Sequence, residues 1–476
     1  MTLFVITLTE ILFTSSALCL ALDFASQRLG RFRPYAIGTV ASAAIVVSLS
    51  ILLSDLNQYM GKLVTSRPFP SQYSTLYLSD NYTLFIILLV LVISLTVSVY
   101  SAFWLKADSK SGPFYALLLL LTCSLIGVAS AGDFVTLFLF WEGMSLASYG
   151  LVSFRKTFDI ALEASLKYFF VVGLGSLLAL FGISLIYYQT GSLELGSLAR
   201  LYSMSPITSL ALIIIIIGFG AEAAIAPLHT WLPDVYSAAS SPVAAMISGT
   251  VTAMGIFGPL KILQPIIASD ISINFKLVVA VLGLATMLIG NFGALYQTNL
   301  RRMLGYSSIA QTGYILAALS TFSTLGLIAS VFMIWNHGIL KSNFFALTGS
   351  VEEGYQGGEL ARLRGIGRQS RLLGTLFTLS SLGMVGSPPF GLFWGELLVV
   401  ESLVMKGGLY IALAAAVALN IVLSIGYYYR VINTVVFGEA QITASYSSKL
   451  LFVPVALLGL SLVTGIMPQL FLNLIS

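Results

Sequence analysis

Charge is what this 476-residue chain has least of: Asp, Glu, Lys and Arg together make up 9% of it. A soluble globular domain carries about 25%. A cytosolic or secreted globular protein is therefore excluded, and 58% hydrophobic residues with a mean hydropathy of +0.96 leave a polytopic membrane protein. Cysteine is nearly absent. Cys19 and Cys123 both lie inside apolar runs, so no disulfide framework and no CxxC is present, and no thiolate metal or iron–sulfur site is expected in the chain itself. With only two histidines, His229 and His337, a multi-haem cytochrome is excluded. The net charge of +4 is spread along the chain, which gives nucleic acid nothing to bind.

What the chain has in quantity is apolar runs of spanning length. Fourteen are centred on 3–22, 36–54, 83–104, 114–131, 134–153, 163–187, 207–226, 240–258, 277–296, 305–320, 324–349, 372–392, 408–429 and 450–470. The longest connections are 55–82, with Pro68 and Pro70, and 350–371, and neither accommodates a soluble domain. The first run lacks a basic n-region, contains Glu10 and is followed by Arg28, Arg31 and Arg33, so it reads as a retained helix and not as a cleaved signal. Connections after odd-numbered runs hold 15 Lys+Arg and those after even-numbered runs hold 6. The positive-inside rule then places both termini on the outer face of a cytoplasmic-type membrane, the plasma membrane of a prokaryote or an organelle inner membrane.

Two runs are interrupted. In run seven, IIIIIGFGAEAAIAPLHTWLPD, Pro227 breaks the backbone ladder and Pro233 is expected to end the helix. In run twelve, LSSLGMVGSPPFGLFWGELLVV, Gly386, Pro388 and Pro389 do the same. Broken helices in corresponding positions of two halves point to an internally repeated transporter with its site near the midplane. The carbonyls that a proline frees must face protein or water.

A charge at the bilayer centre costs at least about 2.5 to 3.5 kcal/mol, so it needs a partner or a task. Those at membrane depth are Glu142 in run five, Lys167 early in run six, Glu222 and His229 around the first break, His337 and Lys341 in run eleven, and Glu396 past the second break. His337 and Lys341, spaced i, i+4, share one helix face. Imidazole titrates nearest neutrality, which suits a proton relay. A bland account also exists for some: Lys167 has the reach to snorkel to the interface, and His229 has a freed carbonyl to bond. Glu10 has no partner that the sequence identifies, and contact with another subunit stays open for it.

At these residues the chain resembles the antiporter-like, proton-pumping subunits of respiratory complex I, shared with Mrp-type sodium/proton antiporters and energy-converting membrane hydrogenases. The segments that carry the resemblance are WEGMSLASYGLV around Glu142, EASLKYFF around Lys167, APLHTWLPDVYSAASSPVAAMISG from Ala226, NLRRMLGYSSIAQTGYI from Asn299, NHGILKSNFFALTGS from Asn336 and GSPPFGLFWGELL from Gly386. The resemblance implies an all-α fold of about fourteen transmembrane helices with two inverted five-helix repeats, each with a broken helix. The chain would divide into helices 1–3 (residues 1–110), a first repeat (111–260), a second repeat (261–431) and helix 14 (432–476). Glu142 would be the key carboxylate of the first half-channel, His337 and Lys341 would lie on the central polar axis, and Glu396 would be the terminal proton-exchanging residue.

The sequence departs from the family pattern at two points. Where the family usually carries a lysine in the broken seventh helix, this chain has Glu222, and run eight lacks the usual central lysine or histidine, Lys261 falling beyond its predicted end. If Glu142 and Glu222 meet, the two carboxylates would share a proton and titrate as a pair, with Lys167 as the cation to balance them. Glu396 looks like the M-type subunits, the missing run-eight lysine weakens that match to leave N-type open, and the absence of further helices points away from an L-type role. The implied function is a proton-translocating subunit of a quinone- or hydrogenase-linked redox complex, with iron–sulfur clusters and electron carriers in partner subunits and no cofactor in this chain. The rivals are an Mrp-type Na+/H+ antiporter subunit and a non-pumping structural subunit.

Overall fold

The computed structural model describes residues 2–25, 32–63, 80–105, 110–154, 159–200, 205–267, 273–352, 358–439 and 446–475. Arg28, Arg31, Pro68 and Pro70 lie outside the described residues. Among these residues the only extended pairing is two isolated bridges, Asp133 with Glu194 and Asn299 with Glu359, so the fold is all-α.

The first six helices are α1 (Thr2–Ala25), α2 (Arg33–Leu63), α3 (Asn81–Trp104), α4 (Ser111–Ser130), α5 (Phe134–Val152) and α6 (Asp159–Thr190). Then α7 (Pro206–Gly220) stops at the first break and the chain resumes as α8 (Trp231–Ala238). Next, α9 (Ser241–Met246) runs through a π turn at Ile247–Val251 into α10 (Thr252–Leu263). They are followed by α11 (Ile273–Tyr296), α12 (Leu300–Leu319), α13 (Thr324–Glu352), the single turn α14 (Ile366–Gln369) and α15 (Arg371–Met384). After the second break come α16 (Gly391–Lys406), α17 (Leu409–Ile432), α18 (Phe452–Ile466) and α19 (Pro468–Ile475).

Among the described residues, eleven helices are long and apolar enough to cross a membrane. The three remaining runs of the expected fourteen are also helical, but fall short for stated reasons. Runs seven and twelve are split by their breaks, and α12 carries Arg301 and Arg302 in its first turn. Lipid solvation matters little to α12, because apart from Arg302 and Tyr306 every residue in it is buried by protein. The window through α9 and α10 is likewise wholly buried. These helices and α13 form the centre, where Ser307, Gln311, Asn336, His337, Lys341 and Asn343 are buried within an otherwise apolar core.

Local caps explain where helices begin. Asp133 accepts from the backbone N–H of Thr136 at 2.8 Å to start α5, and Asn299 accepts from those of Arg301 and Arg302 at 3.0 and 3.1 Å to start α12. Pro233 corrects an expectation: it lies in the first turn of α8, where its missing N–H costs nothing, so the helix starts beside it instead of ending there. Lys261 is a second correction, since α10 continues past the predicted end of run eight and carries this lysine inside the fold, 1% exposed.

Candidate functional site

The first break is closed by side chains from elsewhere in the fold. Trp231 Nε1 donates to the carbonyl of Ala221 at 2.9 Å, Thr312 Oγ1 to that of Ala223 at 3.0 Å, and the N–H of Ala226 donates to Thr286 Oγ1 at 3.2 Å. The groups that hydrocarbon would leave unsatisfied are thus met by protein. Glu222 projects from this unwound stretch and is fully buried. Ser145 on α5 donates to its Oε2 at 3.4 Å, and the hydroxyl of Tyr168 on α6 donates to Oε1. Tyr168 in turn shares a hydrogen bond with Ser148 at 3.0 Å and stacks on Trp231, ring centroids 4.0 Å apart and nearly parallel at 12°. Glu142 lies less than one turn before Ser145, half-buried, within electrostatic reach of Glu222, and its Oε1 has no hydrogen-bond partner.

The fold therefore places Glu142 and Glu222 within electrostatic reach of each other, the arrangement that the sequence left open. It does not bring Lys167 to them. Lys167 turns away to ion-pair with Asp234 of α8, which also pairs with Arg302 of α12. The physical reason is geometry on α6: consecutive residues point about 100° apart, so Tyr168 faces the buried carboxylate and Lys167 faces the rim, 42% exposed. Among the described residues no ion pair reaches Glu142 or Glu222. His229 sits half-buried in the break with Nδ1 unpartnered, apart from the carboxylate pair's hydrogen bonds.

The second break is closed locally. The N–H and hydroxyl of Ser387 both donate to the carbonyl of Leu382, at 3.1 and 2.8 Å, and Gly386 adopts φ 74°, a conformation open to glycine. A Cβ at Gly386 would collide with the carboxylate of Glu396 on α16. Glu396 is 5% exposed and accepts from Gln311 Nε2 at 3.2 Å. Lys341 is fully buried, donating to the carbonyl of Leu304 at 2.8 Å and lying 3.5 Å from the hydroxyl of Tyr428. His337, one turn earlier on α13, is buried with Nε2 unpartnered.

Between Lys341 and Glu396 runs a set of hydroxyls and amides that no charge pattern in the sequence signalled. Tyr428 and Ser307 hydroxyls are 2.7 Å apart, Tyr427 donates to Asn291 at 3.0 Å, and Asn291 donates to Tyr314 at 2.9 Å and to Asn420. Tyr314, Tyr427 and Tyr428 all lie within electrostatic reach of Glu396. On the other side of α12, Tyr236 stands among Ser248, Thr252 and Ser308, within electrostatic reach of Glu222. Lys261 forms a separate buried station, bonded to the carbonyl of Ala129 and 3.3 Å from Thr83 Oγ1. Among the described residues no group of three or more His, Cys, Asp and Glu could hold a metal ion.

Buried carboxylates, a lysine and a histidine threaded between two broken helices define an antiporter-like membrane subunit. The model of the NADH:quinone oxidoreductase/Mrp antiporter transmembrane family matches residues 131–424. The chain belongs to that family. It is 30% identical to the NADH-quinone oxidoreductase subunit N of Heliobacterium modesticaldum over 82% of this chain and 81% of that protein. In structure it is similar to a chain of the membrane-bound sulfane sulfur reductase, an archaeal respiratory membrane complex, at 27% identity and a TM-score of 0.87, over 99% of this chain and 96% of that one. It is also similar to a chain of respiratory complex I from Thermus thermophilus, at 26% identity and a TM-score of 0.80, over 98% of each.

Proposed function

We propose that this chain carries protons through its buried Glu, Lys and His residues as the N-type subunit of a redox-driven membrane complex. The observation that carries this reading is the second half of the site: Lys341 and Glu396 are both buried, Lys341 lies against the Tyr428–Ser307 hydroxyl pair, Glu396 accepts from Gln311, and the hydrogen-bonded cluster of Tyr427, Asn291 and Tyr314 lies within electrostatic reach of Glu396. A buried ion that is not doing work is a stability cost of several kcal/mol. Here Lys341 Nζ and Glu396 Oε1 can each hold or release a proton at a defined atom, and the hydroxyls of Tyr428 and Ser307 beside Lys341 can both accept and donate.

In the first half, Glu142 and Glu222 share a proton, and the hydroxyls of Tyr168 and Ser145 take the place of the missing lysine in stabilising the ionised carboxylate. His337 is the link to Lys341, and His229 stands where the first break opens. The electron carriers, quinone and iron–sulfur clusters among them, belong to partner subunits. The energetic scale is adequate: moving one charge against 100 mV costs about 2.3 kcal/mol, and a tenfold change in proton affinity is worth about 1.4 kcal/mol.

The repeats expected at 111–260 and 261–431 gain support from matched details. Asp133 and Asn299 cap corresponding helices, each bridges to a glutamate in a later connection, and each half holds one break. With fourteen crossings, both termini lie on the outer face. A non-pumping structural role is the second reading, favoured by the absence of a cation at Glu142 and Glu222.

One preparation tests the two. The complex is extracted from native membranes in mild detergent, its subunits are identified by mass spectrometry, and its iron–sulfur electron paramagnetic resonance spectrum is recorded. Stoichiometric proteins with reducible clusters are expected; small membrane partners without clusters would make it an Mrp-type antiporter. In the same complex, reconstituted in liposomes, Glu396→Gln and Lys341→Ala are expected to lower protons moved per electron. An unchanged ratio in both would leave the structural role.

A further inference from the structure

The path described so far has two halves and no crossing between them. Helix α12 stands in the way. Its Thr312 donates to the carbonyl of Ala223, next to Glu222, while its Ser307 and Gln311 serve Tyr428 and Glu396 on the other side. Ser308 lies one turn before Thr312 and so shares the face turned to the first break. There Tyr236 of α8 stands beside it, with Glu222 as the charged group in electrostatic reach. Tyr236 Oη, Ser308 Oγ and, on α13, His337 Nε2 belong to buried residues and make no hydrogen bond. Buried polar atoms left in this way are few in a native core, and each calls for an ordered water or a task.

The packing draws these three atoms into one region. α12 and α13 run antiparallel through the turn at 320–323, and Lys341 Nζ bonds the carbonyl of Leu304 at 2.8 Å. One turn from that contact toward the connecting turn, His337 falls level with Ser308. From the other side the π turn Ile247–Val251 presses on α13, since a Cβ on Gly338 would lie 2.6 Å from the carbonyl oxygen of Gly249. The residue beside His337 thus meets the residue beside Ser248. A π turn inside a helix is often the mark of a functional position. Ser248 and Thr252, which flank Tyr236, spend their protons on carbonyls of their own helix, those of Ala245 at 3.2 Å and Ser248 at 3.1 Å. Toward Tyr236 they present lone pairs only, whereas the hydroxyl of Ser308 is free both to donate and to accept.

We propose that the Tyr236 hydroxyl is the point at which protons cross α12, between the Glu142–Glu222 pair and the His337–Lys341 pair, with Ser308 on the far side. The proposal rests on the proton-carrying reading above. In the step, the Tyr236 oxygen accepts a proton from the side of Glu222 as its own proton leaves to Ser308, and the proton of Ser308 passes on to His337 Nε2. Only O–H and N–H bonds form and break, and the tyrosine ends neutral. The segment from Ser241 to Leu263 offers no charged substitute: its one ionisable side chain is Lys261, held at the far end by the carbonyl of Ala129.

The test uses the complete complex in liposomes, with protons moved per electron read beside the amount assembled. Tyr236→Phe removes one oxygen and keeps the ring against Phe345, centroids 4.9 Å apart. It is expected to assemble and to lose proton movement per electron. Tyr410→Phe is the control: it removes a buried hydroxyl that donates to the carbonyl of Ser320 at 2.8 Å, and the ratio is expected to stay. A third variant carries difluorotyrosine at position 236, which keeps the hydroxyl in place but releases its proton more readily. The pH dependence of the ratio is expected to move to lower pH. A native ratio in Tyr236→Phe would overturn the crossing and leave the pumping reading standing. A lowered ratio in Tyr236→Phe with an unmoved pH profile for difluorotyrosine would make Tyr236 a packing residue and overturn the crossing as well. A native complex that moves no protons would overturn the pumping reading first, and the crossing with it.

Discussion

At the scale of single residues, the first half of the site turns on one hydroxyl. Tyr168 donates to Glu222 and stacks on Trp231, so Tyr168→Phe keeps the stack and removes only the donor. Leaving a buried acceptor unpaired costs about 1–3 kcal/mol, and that loss falls on the ionised carboxylate. The variant complex is expected to assemble and to move fewer protons per electron, measured with a pH-sensitive dye inside liposomes; an unaltered ratio would remove Tyr168 from the path. Lys167→Met, one residue away, is expected to leave the ratio unchanged, since an exposed ion pair is worth about 0–1 kcal/mol and its partner Asp234 keeps Arg302. The charged residues of the site could be read from the sequence because a carboxylate or amine in an apolar run is costly wherever it points. Their partners could not. Asp234 is 67 residues from Lys167 and Tyr428 is 87 from Lys341, and one tyrosine among the 22 of this chain carries no sign of what it bonds.

At the scale of elements, the requirements of hydrocarbon made the helices readable, and proline made the two breaks readable. What proline does not encode is how a break is lined, which at the second break depends on Gly386. An alanine there meets the strain of a positive φ, about 1–2 kcal/mol, and drives its methyl into Glu396. Gly386→Ala is expected to lower the thermal midpoint of the purified complex and its protons per electron together. Gly459→Ala on α18, whose added methyl would touch nothing within 4 Å, is expected to be neutral or to gain up to about 1 kcal/mol from helix propensity. Equal behaviour of the two would show that the crowding at Gly386 has no consequence. Lys261 escaped the sequence reading for a different reason: the apolar window closed before Pro259, whereas the helix runs on and its lysine is accepted by the carbonyl of Ala129 at the end of α4. Lys261→Arg keeps a cationic donor at that carbonyl, while Lys261→Met leaves it bare. Recovery of assembled protein is therefore expected to fall with methionine and to hold with arginine.

At the scale of the whole molecule, the parity of the crossings is the strongest constraint on how the chain sits. Among the described residues eleven helices meet the length and hydropathy of a span, an odd number that taken alone would put the termini on opposite faces. Fourteen crossings put them on the same face, and they require the two broken helices and α12 to cross despite low hydropathy. The fold permits this because those three elements are packed by protein: α12 is buried almost throughout, and the breaks are satisfied by Trp231, Thr312, Thr286 and Ser387. With fourteen crossings, the excess of basic residues after odd-numbered runs would put both ends on the outer face, as proposed above. The two native cysteines are buried, so an introduced thiol can be read alone. A cysteine placed ahead of Met1 and, separately, Asn473→Cys on exposed α19 are expected to react with a membrane-impermeant maleimide in intact cells and to be protected in inverted vesicles. Reaction of the two from opposite sides would mean an odd number of crossings and would overturn the proposed fourteen. Reaction of both only from the inside would keep an even number of crossings and reverse the direction of the proton passage proposed for Lys341 and Glu396.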